Sequence, residues 1–192
     1  MTPRRGLTIS DIVDSASTIA DEQGLKQLSI GALADKLKIK PPSLYNHVRG
    51  LDELHDLLAV HGCQKLLERL EESILDVSKE DAVKQFSYAY VTFAKEHPGL
   101  YEATSRAAEE ENVELKQVQG QIVHVIKRVL EEFNLENDHA IHVIRMLRSM
   151  LHGFVTLEQE QGFGLPYDVD QTLDVMIRTF LKGLPPATDD LT

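Results

Sequence analysis

Tyr45, Asn46 and His47 form a run of hydrogen-bonding side chains that follows two prolines and a serine and precedes Arg49. An Asn side chain can read adenine through paired hydrogen bonds, a Ser hydroxyl bonds several bases, and a proline ring can contact a thymine methyl group. Tyr, His, Lys and Arg side chains suit phosphate oxygens, which position a protein on a duplex without reading its sequence. These residue types, so close together, predict contact with the major groove of double-stranded DNA.

Helical spacing separates an inward from an outward side of this short segment. Leu44 and Val48 lie one helical turn apart and are expected to face a core. The opposite face then carries three side chains suited to reading bases: Pro42, Ser43 and Asn46. Predicted phosphate contacts come from basic and aromatic side chains nearby: Lys38, Lys40, Tyr45, His47 and Arg49. Two residues at the start of the chain are expected to reach a neighbouring backbone or minor groove: Arg4 and Arg5.

Helix-boundary signals place this segment third in a series of short helices. Thr8–Asp11 has the form of a capping box, and Gly24 is expected to end the helix that it starts. Ser29 is a favourable N-cap for a second helix. The third helix is expected to begin at Pro41, and because two consecutive prolines lack N–H groups, Lys40 can occupy the capping position. A supporting helix, a second helix, a tight turn and a short third helix form a helix-turn-helix module.

Apolar residues keep helical spacing through the rest of the chain, and no segment shows the alternation of a half-buried strand. We therefore predict an all-α fold of about nine helices, in which the N-terminal three-helix module is followed by a longer helical body. The boundary is expected at residue 50, and a disordered tail is expected at 185–192.

The charge of the chain is unevenly distributed. The formal net charge is −11, yet residues 1–50 hold seven Lys/Arg against five Asp/Glu, while residues 51–192 hold thirteen against twenty-six. This asymmetry indicates an end that tolerates polyanions and a body that repels them. A surface that is merely solvated would account for it equally well.

Cysteine usage and hydropathy bear on the compartment. The single Cys63 excludes an intrachain disulfide and is compatible with a reducing cytosol, so a cytoplasmic location is expected. No apolar run approaches the ~20 residues that a helix needs to cross a bilayer, so no membrane partner is expected.

Residues 33–58, LADKLKIKPPSLYNHVRGLDELHDLL, closely resemble the tetracycline-repressor (TetR) type of transcriptional regulator. The shared features are a hydrophobic-Tyr-x-His-hydrophobic run that ends the recognition helix and a Glu-Leu pair that opens the next helix. The stretches FAKEHPGLYE and MLHGFVTLE resemble a C-terminal regulatory domain found in one branch of the family. That branch is named for a Trp-His-Gly motif, and Leu151 stands here in the Trp position.

The resemblance implies a function as well as a fold. Family members are similar Ω-shaped, all-helical homodimers, so residues 1–50 are expected to bind DNA and residues 51–184 to bind a ligand and dimerise. The implied activity is repression, in which a dimer binds a palindromic operator and leaves it when a small-molecule effector binds. The apolar stripes at 139–160 and 168–183 are candidates for an intersubunit four-helix bundle.

Two residues depart from the family pattern. Lys38 occupies the turn position where Gly is common, so a residue with a side chain must accept the backbone geometry of the turn. Leu51 stands where many members carry a Lys that contacts phosphate, and Arg49 is the residue placed to compensate.

Six residues are candidates for lining an effector pocket, since Met adapts to varied apolar ligands and the others are aromatic: Tyr90, Phe93, Tyr101, Met146, Met150 and Phe154. Residues at helical spacing also form ordinary core or dimer interface, and this alternative stays open. No cluster of buried charges accompanies them, so a mostly apolar effector is expected. Held among residues 80–157, it would move the helix that opens at Asp52.

Metal and enzyme functions find little support. His139 and His142 lie on one helix face, with His124 and His152 on neighbouring segments, a spacing that can bind a metal. No carboxylate or Cys completes the set, so no metal and no cofactor are predicted. No catalytic motif appears, so no enzyme activity is predicted. The alternative function is an all-helical ligand-binding or adaptor protein that has lost DNA binding, which the negative charge and Leu51 would favour.

Overall fold

The computed structural model of the chain describes residues 6–135 and 137–184, without the side chain of Asn137. Arg4, Arg5 and the predicted tail at 185–192 lie outside the described residues. Within those residues the chain is all-helical, as predicted, with two short 3₁₀ helices at Leu25–Gln27 and Glu131–Phe133. The α-helices are α1 (Ile9–Gln23), α2 (Ile30–Leu37), α3 (Pro41–Leu44), α4 (Leu51–Ser73), α5 (Lys79–Glu96), α6 (Pro98–Thr104), α7 (Val113–Leu130), α8 (Asn137–Gln159) and α9 (Val169–Lys182).

The chain divides into two compact units, each continuous in space but not in sequence. The first comprises Met1–Lys65 and His97–Val118, and the second comprises Leu66–Glu96 and Gln119–Thr192. The first unit therefore contains α1, α2 and α3 together with the start of α4 and all of α6. A functional boundary at residue 50 remains a prediction.

The start of α1 is held by the predicted capping box. The backbone N–H of Asp11 donates to Thr8 Oγ1 at 3.2 Å, and the Asp11 carboxylate accepts from the Thr8 backbone N–H at 2.9 Å. These reciprocal bonds satisfy two of the donors that a helix N-terminus leaves without a partner. Gly24 ends the helix at a φ of 93°, a backbone conformation that favours glycine. Both boundary predictions for α1 are confirmed.

The three N-terminal helices share one apolar core. Ile12, Ala16 and Ile19 of α1 are buried, as are Leu33 of α2 and Leu44 of α3. Ser29 accepts a hydrogen bond from the Ala32 backbone N–H at 3.1 Å and so caps α2 as predicted. Burying a Leu side chain stabilises a fold by roughly 2–3 kcal/mol, so this core holds the short helices in place.

Within the first unit, α6 packs directly on the backbone of α1. A Cβ on Gly99 would lie 2.0 Å from the Ala20 carbonyl oxygen, so the contact admits only glycine. Gly62 of α4 also lies close to α6, although less tightly, since a Cβ there would lie 2.9 Å from the Leu100 carbonyl oxygen. Two glycines thus allow the first turn of α6 to approach α1 and α4 at backbone distance.

The second unit buries the inner faces of α5, α8 and α9. Phe86 of α5, Phe154 of α8 and Ile177 of α9 are each almost fully buried. The Lys95 ammonium lies 2.9 Å from the Glu158 carboxylate and 3.1 Å from that of Asp170, which ties the end of α5 to both other helices. Asp168 caps α9 by accepting hydrogen bonds from two backbone N–H groups.

The apolar stripe of α8, a candidate for the intersubunit bundle, lies only partly in the interior of the single chain. Leu147, Leu151 and Phe154 are buried, but Ile141 and Leu157 are exposed in the single chain. An α-helix has 3.6 residues per turn, so side chains spaced from Ile141 to Leu157 do not all lie on the same buried face.

Among the described residues, each helix is too short or too polar to cross a membrane.

We expect Gly99→Ala to lower the free energy of unfolding by about 3 kcal/mol, because the added methyl group would overlap the Ala20 backbone. Gly120→Ala is the matched control: Gly120 is an exposed residue within α7, and a Cβ there meets nothing within 4 Å. That control should raise stability by about 0.5–1 kcal/mol. Urea denaturation of both variants measures the difference, and equal effects would refute the close contact.

Candidate nucleic-acid interface

The turn between α2 and α3 depends on a lysine in a left-handed conformation. Lys38 has a φ of 55° and a ψ of 41°, the region that the sequence predicted from its place at a glycine position. Its backbone N–H donates to the Asp35 carbonyl at 3.1 Å, and that of Ile39 donates to the Ala34 carbonyl at 3.0 Å. This pair of bonds is a Schellman motif, which ends α2 and turns the chain toward α3.

The start of α3 needs no side-chain cap. Lys40 occupies the N-cap position with extended backbone, and Pro41 and Pro42 fill the first two helical positions, as predicted. Neither proline has an N–H group, so two donors that would otherwise need a partner do not exist. The side chain of Lys40 is therefore free of a capping role, and it is exposed.

Two buried side chains decide which residues of this segment face solvent. Leu44 and Val48 are almost fully buried, and the Val48 backbone N–H donates to the Leu44 carbonyl at 2.9 Å. Pro42 and Asn46 are exposed, and Tyr45 is 57% exposed. Of the other predicted contact residues, Lys38 and Lys40 are exposed, and Ser43 and His47 are half-buried. Two of the three side chains predicted to read bases, Pro42 and Asn46, are therefore exposed to solvent, and the third, Ser43, is half-buried.

The third helix is shorter than predicted. Helical spacing predicted that Val48 still lies on this helix, but α3 ends at Leu44 and hydrogen-bonded turns follow it. The His47 backbone N–H donates to the Leu44 carbonyl at 2.8 Å, a three-residue step that tightens the chain. Leu44 and Val48 remain buried, because the Val48 N–H also donates to the Leu44 carbonyl and so keeps the two residues one helical turn apart.

Arg49 already has a partner within the chain. Its guanidinium lies 3.2 Å from the Glu53 carboxylate, although the Arg49 side chain remains 90% exposed. The hydrogen bond from the Arg49 backbone N–H, followed by that from its side chain, lowers the pKa of the Glu53 carboxyl from its usual value. Glu53 is thus ionised at neutral pH and competes with any phosphate for the guanidinium. Leu51 opens α4 beside this pair as a half-buried residue.

Comparisons with known proteins identify the family. The model of the "Tetracyclin repressor-like, C-terminal domain" matches residues 83–180. YobS, a helix-turn-helix type transcriptional regulator of Bacillus subtilis, is 40% identical over 185 residues, which cover 96% of each protein. The chain belongs to the tetracycline-repressor family of transcriptional regulators. It is accordingly a regulator and not an enzyme, and the narrower assignment to the Trp-His-Gly branch stays a prediction.

Solved structures agree with the fold expected of a TetR-family protein. A protein of unknown function from Rhodococcus sp. RHA1 superposes with a TM-score of 0.83 at 19% identity, covering 97% of this chain and 100% of that chain. A TetR variant from Acinetobacter baumannii AYE, in complex with minocycline, superposes with a TM-score of 0.69 at 19% identity. That match covers 93% of this chain and 96% of the Acinetobacter chain.

The six predicted pocket residues of this TetR-family chain do not all lie inside. Tyr90, Phe93 and Phe154 are buried in the second unit, and Met150 is half-buried there. Tyr101 is buried in the first unit. The structure does not bring Met146 to the interior, because it lies on the face of α8 that is turned away from the buried row, and its side chain is 49% exposed.

Two open cavities occur elsewhere in the described part of the chain. One of about 330 Å³ lies in the first unit: it is lined by Leu25, His55, Glu102, Ala103, Ser105 and Arg106. One of about 210 Å³ lies in the second unit: it is lined by Lys127, Leu130, Glu131, Asn134, Leu135, Ala140 and Ile144. Neither is lined by a predicted pocket residue.

Each of the four histidines considered as metal ligands is exposed to solvent. His124, His139, His142 and His152 all lie on the surface of their helices. Among the residues that the structure describes, no group of three or more His, Cys, Asp or Glu side chains is arranged to hold a metal ion.

Two acidic residues that make key contacts in the first unit of this TetR-family chain were not identified from the sequence. Glu53 was read only as part of a helix start, although its position four residues after Arg49 is a signal for an ion pair. Asp21 was not singled out at all, yet its carboxylate accepts from the backbone N–H of Leu100 at 2.8 Å. No sequence signal reveals that contact, because its partners lie 79 residues apart.

We expect Lys38→Gly to raise the free energy of unfolding by about 0.5–1 kcal/mol, since glycine adopts a positive φ without steric cost. Lys36→Gly is the control, because Lys36 is an exposed lysine inside α2, where glycine costs about 1 kcal/mol. Thermal unfolding should move the two variants in opposite directions. A Lys38→Gly protein no more stable than the parent would show that the turn carries no strain.

Proposed function

We propose that the chain is a cytoplasmic repressor that binds a palindromic DNA operator as a homodimer and is released by a small-molecule effector. The observation that carries the proposal is the surface formed by Pro42, Tyr45 and Asn46 outside a complete apolar core. Tyr45 is 57% exposed and Asn46 is exposed as well, so both side chains can reach a partner outside the chain. A polar surface of this kind at a helix-turn-helix suits the major groove.

The proposed contacts divide into those that read bases and those that position the protein. Pro42, Ser43 and Asn46 would face base edges, where Asn can form paired hydrogen bonds with adenine. Phosphate contacts would come from the surrounding side chains: Lys38, Lys40, Tyr45, His47 and Arg49, with Arg4 and Arg5 from the start of the chain. Positioning contacts give affinity without sequence information, so the two sets should respond differently to substitution.

Dimerisation is proposed because one short module makes few base contacts. Two modules related by a two-fold axis would read two half-sites about one helical turn of DNA apart or slightly more. Apolar side chains exposed on α8 and α9 support a self-complementary interface there, among them Met146 and Val175, which is 53% exposed. The family that the chain belongs to is consistent with this arrangement.

Effector binding is proposed for the apolar interior of the second unit. Tyr90, Phe93, Met150 and Phe154 contribute aromatic rings and an adaptable thioether, which suit a mostly apolar small molecule. The structurally similar Acinetobacter protein is in complex with minocycline, so this fold can hold a small organic molecule. Release of DNA requires the effector to favour the non-binding arrangement by a few kcal/mol over the DNA-binding one.

Fluorescence anisotropy with DNA from upstream of the gene tests the DNA-binding proposal. We expect Asn46→Ala to weaken binding to the operator about 10- to 100-fold and to leave non-specific DNA binding unchanged. Lys40→Ala should instead weaken binding to all sequences and reduce the slope of log affinity against log salt by about one. Gln27→Ala, which removes an exposed polar group outside α3, is the control and should bind as the parent does.

The titration also separates the two functions considered. Binding that is neither sequence-selective nor salt-dependent would contradict the repressor proposal and favour the ligand-binding or adaptor protein. Leu51 and the pairing of Arg49 with Glu53 are the features that favour this second function, because each withholds a basic contact from the duplex.

Light scattering coupled to size exclusion tests the dimer. We expect the parent chain to elute with twice its monomer mass and the double variant Met146→Asp, Val175→Asp to elute as a monomer. Charged side chains are rare in the cores of protein interfaces, because burying them there opposes association. Val123→Asp is the matched control, because Val123 is 45% exposed on α7 and lies outside the proposed interface. A monomeric parent, or a control that dissociates as readily, would exclude an interface on α8 and α9.

A further inference from the structure

The first turn of α6 lacks a cap of its own. Pro98 has no N–H group, the Tyr101 N–H donates to the His97 carbonyl at 2.8 Å, and the His97 side chain makes no capping bond. The N–H of Leu100 would be left without a partner at such a helix start. Asp21 of α1 supplies the acceptor, with 2.8 Å between its Oδ1 and the Leu100 nitrogen. A residue of another helix therefore performs the capping function.

The same carboxylate makes a second contact with the residue before α6. Asp21 Oδ2 lies 3.0 Å from His97 Nδ1, and the Asp21 side chain is only 18% exposed. One oxygen thus holds the backbone of α6 and the other holds the imidazole at its N-cap. We call these two contacts, of Asp21 with Leu100 and with His97, the Asp21 clamp.

Close packing of the backbone around the Asp21 clamp restricts movement of α6 relative to α1 and α4. Ala20, which precedes Asp21, is the residue that Gly99 touches, and α4 approaches the same turn of α6 through Gly62. Farther along, Arg106 Nε lies 2.7 Å from Asp56 Oδ1 of α4. Packed interiors are not continuously deformable, so a displaced α6 must either carry α1 with it or break the clamp.

We propose that Asp21 is the positioning residue that couples α6 to the DNA-binding helices. The inference rests on the proposed function and deepens it, because α1 belongs to the same core as α2 and α3. A movement of α6 would reach the proposed interface through Asp21, and binding of DNA would reach α6 by the same contact. Coupling between two sites is reciprocal, so the second direction can be measured without knowing the effector.

A purely structural role would give a different result. If Asp21 merely stabilised the fold, its loss would raise hydrogen exchange at Leu100 equally with and without DNA. A coupling role predicts that DNA slows exchange at Leu100 in the parent and that this DNA-dependent change disappears when the clamp is removed. The difference between free and bound protein is therefore the decisive readout.

The experiment is amide hydrogen exchange of the full chain, free and bound to the operator fragment identified by anisotropy. In the parent, we expect DNA to protect both residues 38–50 and residues 97–104. In Asp21→Ala, residues 38–50 should stay protected, Leu100 should exchange about 10- to 100-fold faster, and its response to DNA should vanish. Asp21→Asn keeps an oxygen for the Leu100 N–H and should restore the response.

Asp14→Asn is the matched control. Asp14 also lies on α1 and also faces an imidazole, with 3.8 Å between its Oδ1 and His61 Nε2, but it does not contact α6. This variant should respond as the parent does. If Asp21→Ala does not fold, His97→Ala, which removes one of the two contacts, replaces it and should show a reduced response.

The outcomes separate the two proposals. An unchanged response of Leu100 in Asp21→Ala, or a parent in which DNA protects residues 38–50 but not Leu100, would overturn the coupling role. A parent in which DNA protects neither segment would instead contradict the DNA-binding function on which the role depends.

Discussion

Burial of Leu44 and Val48 is the constraint on which the proposed interface depends. The segment between Lys40 and Gly50 contains a single turn of α-helix, too short to be stable by itself. It keeps its orientation because these two side chains lie in the core formed with α1 and α2. With them inside, Asn46 must face solvent. The outward surface is therefore a consequence of apolar packing and not of any property of its polar residues.

The electrostatic environment of the proposed DNA-binding surface is set by nearby charges. A chain with a net charge of −11 should be repelled by DNA, yet the turn before α3 carries two exposed lysines, Lys38 and Lys40. Screening limits the influence of exposed charges to about 8–10 Å at physiological salt, so distant acidic residues matter less than neighbours. The nearest neighbour of consequence is Glu53, which pairs with Arg49. Affinity for a duplex thus reflects a few adjacent side chains more than the charge of the whole chain.

Close backbone contact links α1, which shares its core with α2 and α3, to α6. Where two helices meet through glycine, as at Gly99, the distance between them is set by main-chain atoms that cannot change rotamer. Asp21 adds direction to this contact, because its hydrogen bond reaches a particular N–H of α6. Such an arrangement transmits displacement better than a contact between long flexible side chains, which would absorb it.

Local chemistry made most of the helix boundaries predictable from the sequence by itself. The capping box at Thr8, the left-handed turn at Lys38, the prolines before α3 and Asp168 before α9 act within a few residues, so their effects can be read along the chain. Only the tertiary structure decided that Met146 faces outward and that Asp21 caps α6. Those outcomes depend on residues that are distant in sequence and meet only once the core has packed, which no local pattern encodes.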